Sequence, residues 1–449
     1  MTRVIIVRHG ESTYNTEKRI QGRSDASRLT EKGREDASLV GKALGSIKFH
    51  ALYCSPLQRA KETAEIICQS VQAHSPEVKL QVEDKLREID LPLWEGMLSS
   101  EVKQNLAEDY RTWKEQPHEL KMLVTRDGET QTHFPVLSLY AQAQEFWQEL
   151  LSRHQGETVL VVGHNGINRA LISTALGIPA ARYHCIQQSN CGVSVLNFSG
   201  GLGETVQLES MNQTQHLGEN FPSLRPNHQG LRLLLIRHGE TEWNRQGKFQ
   251  GQIDVPLNEN GKAQAQKAAD FLQDVDIDFA VTSPMSRPQE TAKIILQYHQ
   301  DVELELRDGL REISHGLWEG KFEKEIEEEF PGELERWRTI PGEVQMPEGE
   351  NLQQVWERSV VAWQNLLETA FAKGCKTGIV VAHDATNKTL LCHLLGLSPE
   401  SFWNFRQGNC AVSVIDYAKG LDDLPVLQAM NITAHLGGGV LDKTAAGAL

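Results

Sequence analysis

The stretch VIIVRHGESTYN, Val4 to Asn15, recurs as LLLIRHGETEWN, Leu233 to Asn244. An apolar run that ends at once in Arg-His-Gly reads as a strand buried on both faces, with polar groups at its carboxyl end. The repeat runs on through the chain. SPLQRAKETAEII (Ser55 to Ile67) returns as SPMSRPQETAKII (Ser283 to Ile295), and LREIDLPLWEG (Leu86 to Gly96) as LREISHGLWEG (Leu310 to Gly320). VLVVGHNGINR (Val159 to Arg169) returns as GIVVAHDATNK (Gly378 to Lys388), and QSNCGVSVLNF (Gln188 to Phe198) as QGNCAVSVIDY (Gln407 to Tyr417). A period above two hundred residues is too long for a solenoid and means two whole domains. The expected boundaries are residues 1–218 and 231–449, joined by a linker at 219–230 where Pro222, Pro226, Asn227 and Gly230 interrupt any regular pattern.

Val4 to Val7 and Val159 to Val162 read as buried strands. Between strands lie helical patterns: Lys32 to Ile47 spaces Ala37, Val40, Leu44 and Ile47 on one face, and Gly261 to Phe271 is similar. Strands alternating with helices predict an α/β fold, two tandem three-layer α/β/α domains, each with a mostly parallel sheet.

Composition narrows the function. The 449 residues are 39% hydrophobic and 23% charged, as in a soluble globular protein. A net charge of −15 argues against a nucleic-acid partner, which needs clustered Lys and Arg. No apolar run approaches the ~20 residues that span a bilayer, so no membrane partner is expected. Seven scattered cysteines without a C-x-x-C spacing suggest reduced thiols in a cytosol-like compartment, with no metal and no cofactor.

Arg8 offers fixed donors for phosphate oxygens, His9 a nitrogen nucleophile, and Gly10 room for backbone to approach an anion. A lone Arg-His-Gly fits a hydrogen-bonded core histidine equally well. The other repeated motifs decide between them, because with them the chain resembles the histidine phosphatase superfamily, also called phosphoglycerate mutase-like, across nearly all of both halves. That resemblance implies a histidine that becomes phosphorylated, a second Arg and a second His on the phosphoryl group, and an acid that protonates the leaving oxygen. In the first half these would be His9, Arg8, Arg59, His164 and Glu88. In the second they would be His238, Arg237, Arg287, His383 and Glu312. Asn15, Gln21 and Gly22, with Asn244, Gln250 and Gly251, would bind substrate. The Trp of Trp94-Glu95-Gly96 and Trp318-Glu319-Gly320 would pack beneath the loop.

The resemblance implies a phosphomonoesterase of small phosphorylated metabolites. The family's cofactor-dependent mutases carry their acid in an E-R-x-Y-G context, whereas here it stands in R-E-I, which favours hydrolysis over a phosphoglycerate mutase. The first half is similar to a two-domain plant member of the family, implying sugar monophosphates or bisphosphates. Asp384-Ala385 replaces Asn165-Gly166, and His315-Gly316 stands where the first half has Leu91-Pro92. The two pockets are therefore expected to prefer different substrates, or one copy to be weak, with a sugar-phosphate sensor as the non-enzymatic alternative. The oligomeric state is left open.

Overall fold

The computed structural model describes residues 1–126, 128–225 and 228–441. The chain divides into two compact units, Met1–Pro222 and Ser223–Leu449; Pro226 and Asn227 lie outside the described residues.

Apart from a separate antiparallel hairpin of Met122–Arg126 and Glu129–His133, the strands of the first unit's main sheet are β1 (Thr2–Arg8), β2 (Ala51–Cys54), β3 (Leu80–Val82), β4 (Thr158–Gly163), β5 (Val193–Phe198) and β6 (Val206–Gln213). They lie in the order β6-β5-β1-β4-β2-β3. The β1–β4, β4–β2 and β2–β3 pairs are parallel, and β5 alone runs against its neighbours. Val4, Ile5, Ile6 and Val7 are all fully buried, as a strand covered on both faces requires. The long helices are α1 (Glu31–Leu44), α2 (Gln58–Val71), α3 (Pro135–Arg153) and α4 (Asn165–Leu176), with α1 packed on α2 and α3 on α4.

Helix α1 is shorter than its apolar spacing predicts. It starts with Thr30 accepting from the Gly33 N–H and gives way at Gly45, leaving Ile47 in a turn that returns to the Leu44 carbonyl. The helix thus ends before its apolar pattern runs out.

The second unit repeats the plan. Its strands are β7 (Leu231–Arg237), β8 (Phe279–Thr282), β9 (Leu304–Leu306), β10 (Thr377–Ala382), β11 (Val412–Tyr417) and β12 (Val426–Ile432). Their order is β12-β11-β7-β10-β8-β9, with β11 the antiparallel strand. Its long helices are α5 (Glu259–Leu272), α6 (Ser286–Ile295), α7 (Leu352–Ala372) and α8 (Asp384–Leu395). The acidic run at 321–329 forms a short helix, Glu323–Glu329, that buries only Ile326. No helix among the described residues is long and apolar enough to cross a membrane.

Candidate active site

Strand register brings the two histidines of each unit together. Arg8 pairs with Gly163 across the parallel β1–β4 ladder, so His9 and His164 leave the sheet side by side. Their rings meet edge to face with centroids 5.1 Å apart. In the second unit Arg237 pairs with Ala382 in the same way, and His238 and His383 are 5.2 Å apart. Both pairs stand at the carboxyl ends of adjacent parallel strands, where such sheets bind ligands.

Nδ1 of His9 lies 2.7 Å from the Gly10 carbonyl oxygen. A carbonyl can only accept, so Nδ1 carries the proton and Nε2 keeps its lone pair. His238 is locked identically against Gly239, also at 2.7 Å. Burial first, then the guanidiniums of Arg59 and Arg8, hold His9 well below the usual histidine range. Burial, Arg287 and Arg237 do the same to His238. A neutral imidazole with a bare Nε2 is a nucleophile at neutral pH.

His164 and His383 are turned the other way. Nε2 of His164 is 2.8 Å from Ser55 Oγ, and Nε2 of His383 is 2.9 Å from Ser283 Oγ. In both, Nδ1 is buried with no partner among the described residues. An unpaired buried polar atom costs roughly 1–3 kcal/mol, a penalty that a bound phosphoryl oxygen would relieve.

Four guanidiniums are anchored through their terminal nitrogens. Arg8 donates to the Gln188 carbonyl at 2.8 Å, and Arg59 to the Ser24 and Gly22 carbonyls, both at 2.9 Å. The Nε of Arg8 and of Arg59 is buried and unpartnered among the described residues. Burial brings Arg8 down to about 10, still charged at neutral pH. Arg237 donates to the Gln407 carbonyl at 2.7 Å and Arg287 to the Gly251 carbonyl at 2.8 Å, while Arg287 Nε, not a terminal nitrogen, donates to His238 Nε2 at 3.3 Å.

The acids stand at helix N-termini. Glu88 accepts from the N–H groups of Ile89, Gly166 and Ile167 at 2.8, 3.0 and 3.1 Å. A Cβ on Gly166 would fall 2.3 Å from the Glu88 carboxylate, so glycine is what lets this carboxylate reach the start of α4. In the second unit Ala385 replaces that glycine, and the bonds from its N–H to Glu312 lengthen to 3.2 and 3.3 Å. Burial, then the neighbouring Asp384, raises the Glu312 carboxyl above its ordinary range.

In the first unit these groups open onto a cavity of about 270 Å³ lined by Arg8, His9, Gln21, Gly22, Arg59 and Glu88, with Asn165, Gly166, Arg169, Trp113 and Tyr183 among its other walls. Asn15 stands off this wall. Its Oδ1 accepts from the Ser12 N–H at 3.1 Å, the Ser12 hydroxyl at 2.9 Å and Asn190 Nδ2 at 3.3 Å, so these bonds brace the loop behind His9. Asn244 braces Thr241 and Asn409 likewise. Gln250 is closer to what a ligand needs: its Oε1 accepts from Thr241, while Nε2 is buried and unpartnered among the described residues.

Gly10 serves a different purpose from the expected one. Its N–H donates to Thr63 Oγ1 at 3.0 Å rather than facing an anion, and its α-carbon packs on Gly33, where a Cβ would lie 2.3 Å from the Gly33 carbonyl oxygen. Gly239 and Gly261 make the same contact. Glycine is needed here so that the nucleophile loop can touch the helix behind it.

Ser55, Asn190, Arg169, Trp113 and Tyr183 were not picked out by the motif reading. Ser55 and Arg169 had a usable signal, since Ser283 and Lys388 repeat them in aligned segments.

The family model described as histidine phosphatase superfamily (branch 1) matches twice, over residues 4–212 and 233–433. A 2-carboxy-D-arabinitol-1-phosphatase of Triticum aestivum is 32% identical over 447 residues, 97% of this chain and 86% of that one. Phosphoserine phosphatase 1 of Hydrogenobacter thermophilus is 33% identical over 49% of this chain and 97% of its own. A "probable phosphoglycerate mutase" of Yersinia enterocolitica is 35% identical over 47% of this chain and 98% of its own.

Proposed function

Because the chain belongs to the histidine phosphatase superfamily, branch 1, in both of its halves, we propose that it is a phosphomonoesterase of small phosphorylated metabolites with two phosphohistidine-forming sites. The observation that carries this reading is the tautomer lock: in both units the proton is held on Nδ1, so Nε2 of His9 and of His238 is the ring nitrogen that keeps its lone pair beside two guanidiniums, with Arg287 Nε 3.3 Å from it in the second unit. Phosphoryl transfer asks chiefly for positioning and charge stabilisation, which two Arg and a second His provide without a metal.

In the proposed cycle His9 Nε2 attacks phosphorus and the ester P–O bond breaks. The carboxyl proton of Glu88 passes to the departing alkoxide. Glu88, now a carboxylate, takes a proton from water, the water oxygen attacks phosphorus, and the P–N bond breaks to release inorganic phosphate and free His9. Arg8, Arg59 and His164 Nδ1 would hold the equatorial oxygens throughout. His238, Glu312, Arg237, Arg287 and His383 would repeat these roles.

The R-E-I setting of the acid supports hydrolysis over phosphoglycerate mutation. The whole-chain relative named for a sugar-acid 1-phosphate supports sugar phosphates as the substrates to try first. Seven unpaired cysteines support a reducing, cytosol-like compartment.

The test is phosphate release across sugar mono- and bisphosphates by the intact chain, His9→Ala, His238→Ala and the double variant. Each single variant is expected to lose a separable part of the activity, and the double variant all of it. Isomerised 3-phosphoglycerate without inorganic phosphate would replace this reading with a mutase.

A further inference from the structure

The two sites differ in charge just beyond the second histidine. In the first unit Asn165 and Arg169, on the first turns of α4, both line the cavity. Asn165 is neutral, and its amide donates to the Gln188 carbonyl at 3.4 Å. Arg169 has neutral partners. Nη2 donates to Gln187 Oε1 at 3.1 Å, and the guanidinium lies over the Tyr183 ring at 5.6 Å. Nη1 lies 3.3 Å from His184 Nδ1. That nitrogen is an acceptor, because His184 Nε2 is 2.7 Å from the Trp113 carbonyl and must donate to it. Nε of Arg169 is buried and unpartnered, and no carboxylate among the described residues forms an ion pair with it. Beyond Arg8 and Arg59, the first cavity thus holds a cation that is in no ion pair among the described residues.

The corresponding positions of α8 are Asp384 and Lys388. Asp384 Oδ2 lies 2.7 Å from Lys388 Nζ, and Oδ1 lies 3.3 Å from Arg237 Nη1. All three side chains are at most 5% exposed. Lys388 is further enclosed by the faces of Phe402 and Trp403, 4.8 and 4.7 Å from its ammonium. One buried carboxylate therefore occupies both the lysine and one of the phosphate-binding arginines. An incoming anion meets that carboxylate at short range in a low-dielectric setting, where like charges repel strongly.

We propose that Arg169 is a subsite for a second anionic group on the phosphomonoester taken by the first site, and that Asp384 cancels the matching subsite in the second. The chain then divides its substrates by charge. Phosphomonoesters that also carry a carboxylate or second phosphate go to the first site, and those with a neutral remainder go to the second. This rests on both histidine clusters being phosphate sites, as proposed for the function, but not on their turnover.

Calorimetric titration of the full chain tests it with two non-hydrolysable probes, methylphosphonate and phosphonoacetate, the second of which adds a carboxylate. The intact chain should bind phosphonoacetate tightly at one site and weakly at the other. Arg169→Met should weaken the tight site at least about tenfold, 1.4 kcal/mol, while moving methylphosphonate by no more than about twofold. Asp384→Asn should strengthen the weak site, and Asn165→Asp should weaken the tight one, each by about tenfold for phosphonoacetate. The proposal fails if phosphonoacetate binds no tighter than methylphosphonate at either site, or if Arg169→Met weakens both probes alike. Should Asp384→Asn not fold, the two first-site variants still decide. A chain that binds in this pattern yet releases phosphate from no ester would overturn the hydrolytic reading and leave this one standing.

Discussion

Nε2 of His164 is held 2.8 Å from Ser55 Oγ, and that contact fixes which way the imidazole faces. With Nε2 engaged, Nδ1 is the atom left for the phosphoryl group. Ser55→Ala should let the ring turn and cost the first site about tenfold in kcat/KM, the worth of one orienting hydrogen bond of about 1.4 kcal/mol. Steady-state kinetics in a His238→Ala background isolates that site. Unchanged kcat/KM would mean that the serine does not orient the ring.

The contact between Gly10 and Gly33 predicts a coupled loss of stability and activity. A Cβ on Gly33 would lie 2.2 Å from the Glu11 carbonyl oxygen, so Gly33→Ala must push the loop that carries His9 away from α1. Overpacking of this kind costs about 1–3 kcal/mol. Denaturant unfolding should show that loss, and phosphate release in a His238→Ala background should fall with it. The second site, assayed in a His9→Ala background, should be unaffected.

Glu312 is predicted to act as an acid towards poor leaving groups. Glu312→Gln should slow hydrolysis of an alkyl phosphate by about 10²- to 10⁴-fold and that of p-nitrophenyl phosphate far less, since nitrophenolate departs without protonation. Burial and Asp384 raise this carboxyl while Arg287 and Arg237 lower it, with the raising effects ahead. The acid form therefore persists above the ordinary value of 4.5, and the alkaline limb of kcat in a His9→Ala background should lie above it. Asp384→Asn should move that limb to lower pH, and a limb that stays put would remove Asp384 from the acid's environment.

His315 predicts an acid sensitivity of the fold. It is fully buried among Phe249, Trp318 and Trp337, with neither ring nitrogen partnered among the described residues. Burial drives it from 6.5 to about 3. The folded value lies below the unfolded one, so the unfolded chain takes up the proton first as pH falls. The stability this neutral ring permits is complete above pH 6.5 and is lost progressively towards pH 3. His315→Leu, which copies Leu91 of the first unit, removes the titration. Its stability relative to the native chain should be about 2 kcal/mol more favourable at pH 5 than at pH 8. Denaturant unfolding at the two pH values measures this, and an equal difference at both would contradict it.

Much of this was legible because the chain contains its own comparison. The repeat marked the strands ending at Arg8 and Arg237, and it aligned the two histidines, two arginines and one acid that each unit gathers. Register did the rest: Arg8 opposite Gly163 is a fact of strand pairing that no local motif states. A glycine or asparagine beside a catalytic residue suggests ligand chemistry, but the packing of Gly10 and the loop-bracing bonds of Asn15 could not be foreseen from the motif. What they touch, Gly33 and Asn190, is distant in sequence. Asp384 was visible as a substitution, but its pairing with both Arg237 and Lys388 depends on burial that composition does not reveal.

The central claim is that phosphate passes through nitrogen at two histidines of one chain. Rapid acid-free quenching of the intact protein with a phosphate-labelled substrate, followed by peptide mapping under alkaline conditions, tests it directly. Acid-labile, alkali-stable label is expected on Nε2 of His9 and of His238, one of them lost in each single alanine variant and both in the double. Full turnover by the double variant, or label on neither histidine while phosphate is released, would contradict it.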